Sequence, residues 1–331
     1  MGGGDVKQLN SMTIPELFEA IRSGHPRALA RAISFAEDQS LSSHEYRELM
    51  SLVYQQQGNG KVTGITGSPG AGKSTLVNRL VKAWRSDGQR VGILAVDPTS
   101  PFSGGALLGD RIRMHEHEGD PGVFIRSMGT RGSLGGLAEA CQDAVRLLEA
   151  AGYDQIIVET VGVGQSELDI MKVADTIALV LYPSGGDVIQ AFKAGIMEIA
   201  DLFIMNKADL PGVEQLNYEL DDLLHLTKKE DDWHPPIVKT IATEKVGIGE
   251  LAEAIEKHGH WLDEQGEGSQ RRQTQLQFEV ERRVMTALRQ RIQPQIEAAV
   301  SEREAGDDPY RIAERILHSF TGYEKHSRGS K

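Results

Sequence analysis

The chain has 331 residues, 39% of them apolar, a formal charge of −12 and one cysteine, Cys141. The length fits one large domain with extensions or two domains. The negative charge counts against broad nucleic-acid or anionic-membrane binding, and a single cysteine excludes an intrachain disulfide or a Cys-based zinc cluster.

The opening MGGGDVKQLNSM lacks the apolar segment of a signal peptide. No apolar run approaches the roughly 20 residues that span a bilayer, so a soluble, cytoplasmic protein is expected. Residues 13–57 carry helical spacing in three stripes: Ile14, Leu17, Phe18 and Ile21, then Leu29, Ala30 and Ile33, then Tyr46, Leu49, Met50 and Val53. They form an expected helical N-terminal extension, residues 1–57.

From residue 61 the pattern becomes short β-branched runs: VTGIT, RVGILAV, GVFIRS, DQIIVET, TIALVLY, DLFIMNK and PIVKTIA. Helix-like stretches separate most of them. This alternation predicts an α/β domain over residues 58–265, a mainly parallel sheet with helices on both faces. The polar, Gly-containing EQGEGSQRRQ reads as a boundary. Beyond it Leu276, Val280, Val284, Leu288, Ile292 and Ile296 recur at four-residue steps, a helical arm over 266–331 that Pro294 should kink or break. Its apolar stripe must be buried, either on its own domain or against a second copy.

Strand VTGIT runs into GSPGAGKS, which fits G-x-x-x-x-G-K-[ST] and opens a helix near Lys73. Gly67, Gly70 and Gly72 let backbone N–H groups turn onto phosphate oxygens, with Ser68, Pro69 and Ala71 between them. The helix through Thr75 aims its positive end at the same anion. Lys73 reaches the β- and γ-phosphates, and the Ser74 hydroxyl ligates Mg²⁺.

Such a loop serves kinases, ATPases and GTPases alike; the base decides. At the end of strand DLFIMNK stands NKAD, Asn206 to Asp209. Its Asp209 carboxylate can accept from both the ring N–H and the exocyclic amine of guanine. Lys207 can lie across the base and Asn206 can brace the loops. At the next strand end, in KTIATEK, Ala242 can offer its backbone N–H to the guanine carbonyl. GTP and GDP are therefore the expected ligands.

Three acids stand at or just beyond strand ends, where open α/β sheets bind ligands: Asp97, Asp110 and Glu159. Mg²⁺ takes oxygen ligands and keeps several waters. Glu159 replaces the Asp of the D-x-x-G junction common in switch GTPases, and the longer acid would reach the ion through a bound water. Gly162 would offer its N–H to the γ-phosphate, so that phosphate loss frees the following loop. Val163 occupies the slot where Ras-like switches carry a water-orienting Gln, and Gln165 lies six residues past Glu159. Slow intrinsic hydrolysis, accelerated by a partner, is expected.

In order, GSPGAGKST, ILAVDPTSP, GGALLGDRIRM, FIRSMGTRGSLGG, VETVGVGQSE and NKAD resemble the GTPase chaperones associated with methylmalonyl-CoA mutase, the MeaB/ArgK-like family. The resemblance covers residues from about 14 to 325. It implies a P-loop fold with helical extensions, a homodimer built largely by the C-terminal arm, and a Mg²⁺-GTP site at Lys73, Ser74, Asp97, Asp110 and Glu159. It implies a partner too, an adenosylcobalamin-dependent acyl-CoA mutase whose cofactor loading and protection are gated by GTP. The family loop coupling nucleotide to mutase matches YPSGGDVIQAFKAG, with Asp187, Gln190 and Lys193; Val188 stands where many relatives carry a second acid. An older family label, transport ATPase or kinase for basic amino acids, has no support in these residues.

Three rivals remain open at this level. A nickel-delivery GTPase would need a better ligand set than one Cys with His115-x-His117 and His258-x-His260, which read as surface histidines. A small-molecule kinase would transfer phosphate to an acceptor, and NKAD argues against it. A binding scaffold would hold nucleotide without turnover.

Overall fold

Among the described residues seven apolar runs become seven strands of one parallel sheet, because each is too short for a helix. The central ones, such as β1 and β5, are buried on both faces, while the edge strands β3 and β7 are only partly covered. The computed structural model describes residues 12–38, 43–56, 58–97, 116–117, 119–129, 136–160, 169–183, 195–227, 233–303 and 308–321. The strands are β1 (Lys61–Gly67), β2 (Val91–Asp97), β3 (Val123–Gly129), β4 (Gln155–Thr160), β5 (Thr176–Leu181), β6 (Leu202–Asn206) and β7 (Ile237–Thr240). They lie in the order β3-β2-β4-β1-β5-β6-β7.

Three helices precede the sheet: α1 (Ile14–Arg22), α2 (Pro26–Asp38) and α3 (Ser43–Gln55). Thr13 starts α1 through a capping box, exchanging hydrogen bonds with Glu16. Within and after the sheet come α4 (Lys73–Ser86), α5 (Gly136–Ala150), α6 (Ile196–Ile199), α7 (Val213–Thr227), α8 (Ile248–Gln265), α9 (Glu267–Ser301) and α10 (Pro309–Thr321).

Side chains alternate across the sheet with period two and sort the helices into layers. Ile65, Ile93, Ile157, Ala178 and Ile204 face α4 and α8, packing on Leu76, Leu80, Trp84, Leu251 and Ile255. Leu94, Val158 and Ile177 face the other way, into a cluster with Leu147 and Leu148 of α5. Helices α1–α3 belong to that same cluster through Leu17, Ile21, Leu29, Ile33 and Leu49. Arg126 of β3 pairs with Glu37, and Tyr46 hydrogen-bonds to Asp143 of α5. The N-terminal helices thus share a hydrophobic core with one face of the sheet and α5.

The chain divides into two compact units, Met1–Arg272 and Gln273–Lys331. The division falls at the end of the polar stretch EQGEGSQRRQ. Gly266 alone ends α8, at φ 74°, and α9 begins at once with Glu267, so GSQRRQ is helical. Nor does Pro294 break α9, which runs 35 residues through it. The position is exposed, where water can take the carbonyl that proline leaves without a donor. No helix among the described residues is long and apolar enough to cross a membrane.

Candidate nucleotide site

The carboxyl ends of β1, β4, β5, β6 and β7 lie side by side, and the residues singled out in the sequence collect there. β1 is central, between β4 and β5. Its last residue, Gly67, turns at φ 138°, and a Cβ there would stand 2.1 Å from Val180 O. Only glycine lets the loop leave so close to β5. The loop then delivers Lys73 to the first turn of α4, behind Gly72.

Lys73 is buried and donates to Gly67 O at 2.7 Å and Ser68 O at 3.1 Å. Those carbonyls hold the ammonium over the loop. Ser74 Oγ donates to Glu159 Oε1 at 2.7 Å. The pairing is set by register: β4 lies beside β1 with Ile65 opposite Glu159, so the acid ends level with the start of the loop. Glu159 is 2% exposed, and a carboxylate so placed needs a charged or hydrogen-bonding partner. Two oxygen donors within reach of a phosphate cradle suit a hard divalent cation such as Mg²⁺.

Asn206 joins the phosphate loop to the base loop. Its Nδ2 donates to Ala71 O at 2.7 Å, while Oδ1 accepts from Thr240 Oγ1 at 3.1 Å and from Ala242 N at 3.2 Å. A side chain at position 72 would block this, since a Cβ on Gly72 lies 2.5 Å from Asn206 Nδ2. The Ala242 N–H expected to meet the guanine carbonyl is thus engaged by Asn206 in this state. Arg79 of α4 holds the same turn, donating from Nε to Ala242 O at 3.0 Å. Lys207 takes the left-handed conformation, φ 57°, and its Nζ lies 4.7 Å from the centre of the Tyr182 ring. Asp209 follows, exposed.

Ser68, Pro69, Gly70 and Thr75 complete the loop and the start of α4. Asp97 is the last residue of β2, but its side chain lies outside the described residues, as do Asp110, Gly162 and the segment with Asp187, Val188, Gln190 and Lys193. Thr240, Arg79 and Tyr182 were not found by sequence reasoning. Thr240 and Tyr182 had one available signal, their places at the ends of apolar runs.

The histidines correct an expectation. His258 is fully buried, not a surface residue; its Nδ1 lies 2.8 Å from Thr176 Oγ1 and its Nε2 3.4 Å from Asp201 Oδ1. It falls on the apolar stripe of α8 with Leu251, Ile255 and Leu262, whereas His260, two residues on, points outward. His117 is also buried, and burial lowers its imidazole pKa below the ordinary value. His258 belongs to a structural network at the amino ends of β5 and β6, where Arg271 holds both Asp201 oxygens at 2.8 and 3.0 Å. No group of three or more metal-ligating side chains occurs among the described residues.

A phosphate loop at the end of a central parallel strand, braced to an N-K-x-D turn, defines a P-loop GTPase. The model of the family "Methylmalonyl Co-A mutase-associated GTPase MeaB" matches residues 29–297. The chain belongs to that family. It is similar to a putative GTPase of Pyrococcus horikoshii, 46% identical over 93% of this chain and 99% of that protein. It is 38% identical to the GTPase ArgK of Escherichia coli, over 75% and 76% of the two chains. The mouse mitochondrial methylmalonic aciduria type A homolog is 35% identical, over 79% of this chain and 67% of that one. Among solved structures, one titled LAO/AO transport system kinase matches with a TM-score of 0.68 at 29% identity, covering 94% of this chain and 98% of that one.

Proposed function

We propose that this protein is a GTP-hydrolysing chaperone that gates adenosylcobalamin loading and protection of a methylmalonyl-CoA-type mutase. The observation that carries the nucleotide half is the Asn206 bridge, which ties Ala71 of the phosphate loop to Thr240 and Ala242 beside the base site. Family membership supports the mutase half, together with the name of the mouse relative.

Chemically, the chain's own residues bind and orient. The loop amides and Lys73 hold the triphosphate; Lys73 exchanges the carbonyls of Gly67 and Ser68 for phosphate oxygens. Ser74 and Glu159, with Asp97 and Asp110, would hold Mg²⁺, which supplies charge neutralisation on the β- and γ-phosphates. Gly162 follows the γ-phosphate. Asp209 reads guanine and Lys207 covers it; the Ala242 N–H, which donates to Asn206 Oδ1, would have to exchange that acceptor for the guanine carbonyl. Val163 gives no hydrogen bond to the attacking water, so intrinsic hydrolysis is slow and the mutase accelerates it. The protein works in the cytoplasm as a homodimer formed through the arm. Supporting the dimer, α9 exposes Leu276, Val280, Val284, Met285 and Leu288.

The base reading is tested by Asp209→Asn, which leaves an exposed position folded but replaces one of the two acceptor oxygens facing guanine by an N–H donor and removes the charge. GTP binding should weaken by roughly 2 to 4 kcal/mol, the loss of charge-assisted hydrogen bonds, with preference moving toward xanthosine triphosphate. Titration calorimetry showing an unchanged GTP/XTP ratio would remove Asp209 from the base site.

A further inference from the structure

We infer that Tyr182 is a positioning residue for Lys207, holding the lysine so that its methylene stem forms a wall of the guanine site. The inference rests on the guanine reading above and assigns a role to a residue outside both nucleotide motifs. Three observations carry it. Tyr182 is the first residue beyond β5, so strand order places it between the phosphate loop on β1 and the N-K-x-D turn on β6. The Lys207 ammonium lies over its ring, 4.7 Å from the centroid. The Tyr182 hydroxyl lies beside the phosphate loop, 4.0 Å from where a Cβ on Gly70 would stand. Pro183 continues along the turn, with its Cβ 3.7 Å from the corresponding point at Gly212.

The physical case concerns entropy. Lysine has four rotatable bonds, and ordering such a side chain is among the larger side-chain costs. Left to solvent, Lys207 would have to be ordered at every binding event. The aromatic face attracts the ammonium before nucleotide arrives, and the φ of 57° at Lys207 fixes the direction in which the stem departs. Preorganisation of this kind raises affinity without any direct contact between Tyr182 and the base. The ring supplies the attraction, so the hydroxyl is dispensable for it.

The test measures GDP and GTP affinity by titration calorimetry for wild type, Tyr182→Leu, Tyr182→Phe, Lys207→Ala and the Tyr182→Leu/Lys207→Ala pair. Thermal unfolding serves as the control for folding. Tyr182→Leu should weaken both nucleotides about threefold to tenfold, the range expected for one cation–π contact. Tyr182→Phe should restore most of that loss, and in the Lys207→Ala background Tyr182→Leu should have no further effect. A loss that persists unchanged in the Lys207→Ala background, or none in wild type, overturns the assignment. Asp209→Asn separates the two levels. If it shifts the GTP/XTP preference while Tyr182→Leu is silent, only the Tyr182 role fails; if it shifts nothing, the guanine reading fails, and the Tyr182 role with it.

Discussion

Lys73 donates to the carbonyls of Gly67 and Ser68, at 2.7 and 3.1 Å, and so keeps a positive charge over the loop. Ser74 and Glu159 form a second preset pair, and Lys207 with Tyr182 a third. In the proposed function each pair holds a group that would meet nucleotide or ion. Lys73→Ala should therefore lose binding more than fold. Each charge-assisted contact contributes about 1.5–3 kcal/mol, so GTP affinity should fall at least tenfold, with the circular dichroism of the wild type. Near-normal GTP hydrolysis by a folded Lys73→Ala protein would contradict the phosphate-loop role. Glycines 67 and 72, Lys73 and Ser74 were legible in the sequence because the motif states their job. The partners of Asn206 were not, since a motif names a residue but not the carbonyl it reaches. Tyr182 opens the YPSGGDVIQAFKAG match but belongs to neither nucleotide motif, so nothing in the sequence ties it to Lys207.

At the scale of elements, all seven strands were legible, because short β-branched runs separated by helix-like stretches leave little choice. The helix boundaries were less so. Pro294 was expected to kink or break a helix that runs through it unbroken, and EQGEGSQRRQ, expected as a boundary, is helical on either side of Gly266. His258 could have been placed inward from its spacing to Leu251, Ile255 and Leu262, had the stripe outweighed the H-x-H pattern. The amino edge of the sheet makes a pH prediction. Burial raises the carboxyl pKa of Asp175, against the Val62 N–H and the neighbouring Arg272, Arg146 and Arg271. Burial likewise raises that of Glu149, opposed by Arg146 and reinforced by Asp175. Both groups hold a proton more readily folded than unfolded. Their ionisation therefore costs stability as pH rises from the ordinary carboxylate value, about 4, through the raised folded values. Each contributes a slope of up to about 1.4 kcal/mol per pH unit in that window. Asn at 175 can still accept from Val62, so Asp175→Asn should flatten the pH dependence of the urea midpoint above pH 4. An unchanged slope would show that Asp175 does not titrate there.

For the whole molecule, the two compact units have different characters. The first carries its core inside, whereas the arm leaves apolar side chains in solvent: Val280, Val284 and Met285 are 52%, 51% and 60% exposed. These exposed apolar side chains are the surface on which the proposed homodimer contact rests. Replacing Val280 and Val284 by Glu should convert the proposed homodimer to monomers with little change in thermal stability, read by light scattering. A dimer that survives the double substitution would move the interface elsewhere. The partner-gated switch is tested most directly by single-turnover GTP hydrolysis, with and without an adenosylcobalamin-dependent acyl-CoA mutase, on wild type and Glu159→Ala. Wild type alone should be slow and should accelerate when the mutase is added. Glu159→Ala should lose Mg²⁺-dependent turnover far more than nucleotide affinity, because the phosphate-loop contacts persist. Fast hydrolysis by the isolated wild type, indifferent to the mutase, would contradict it.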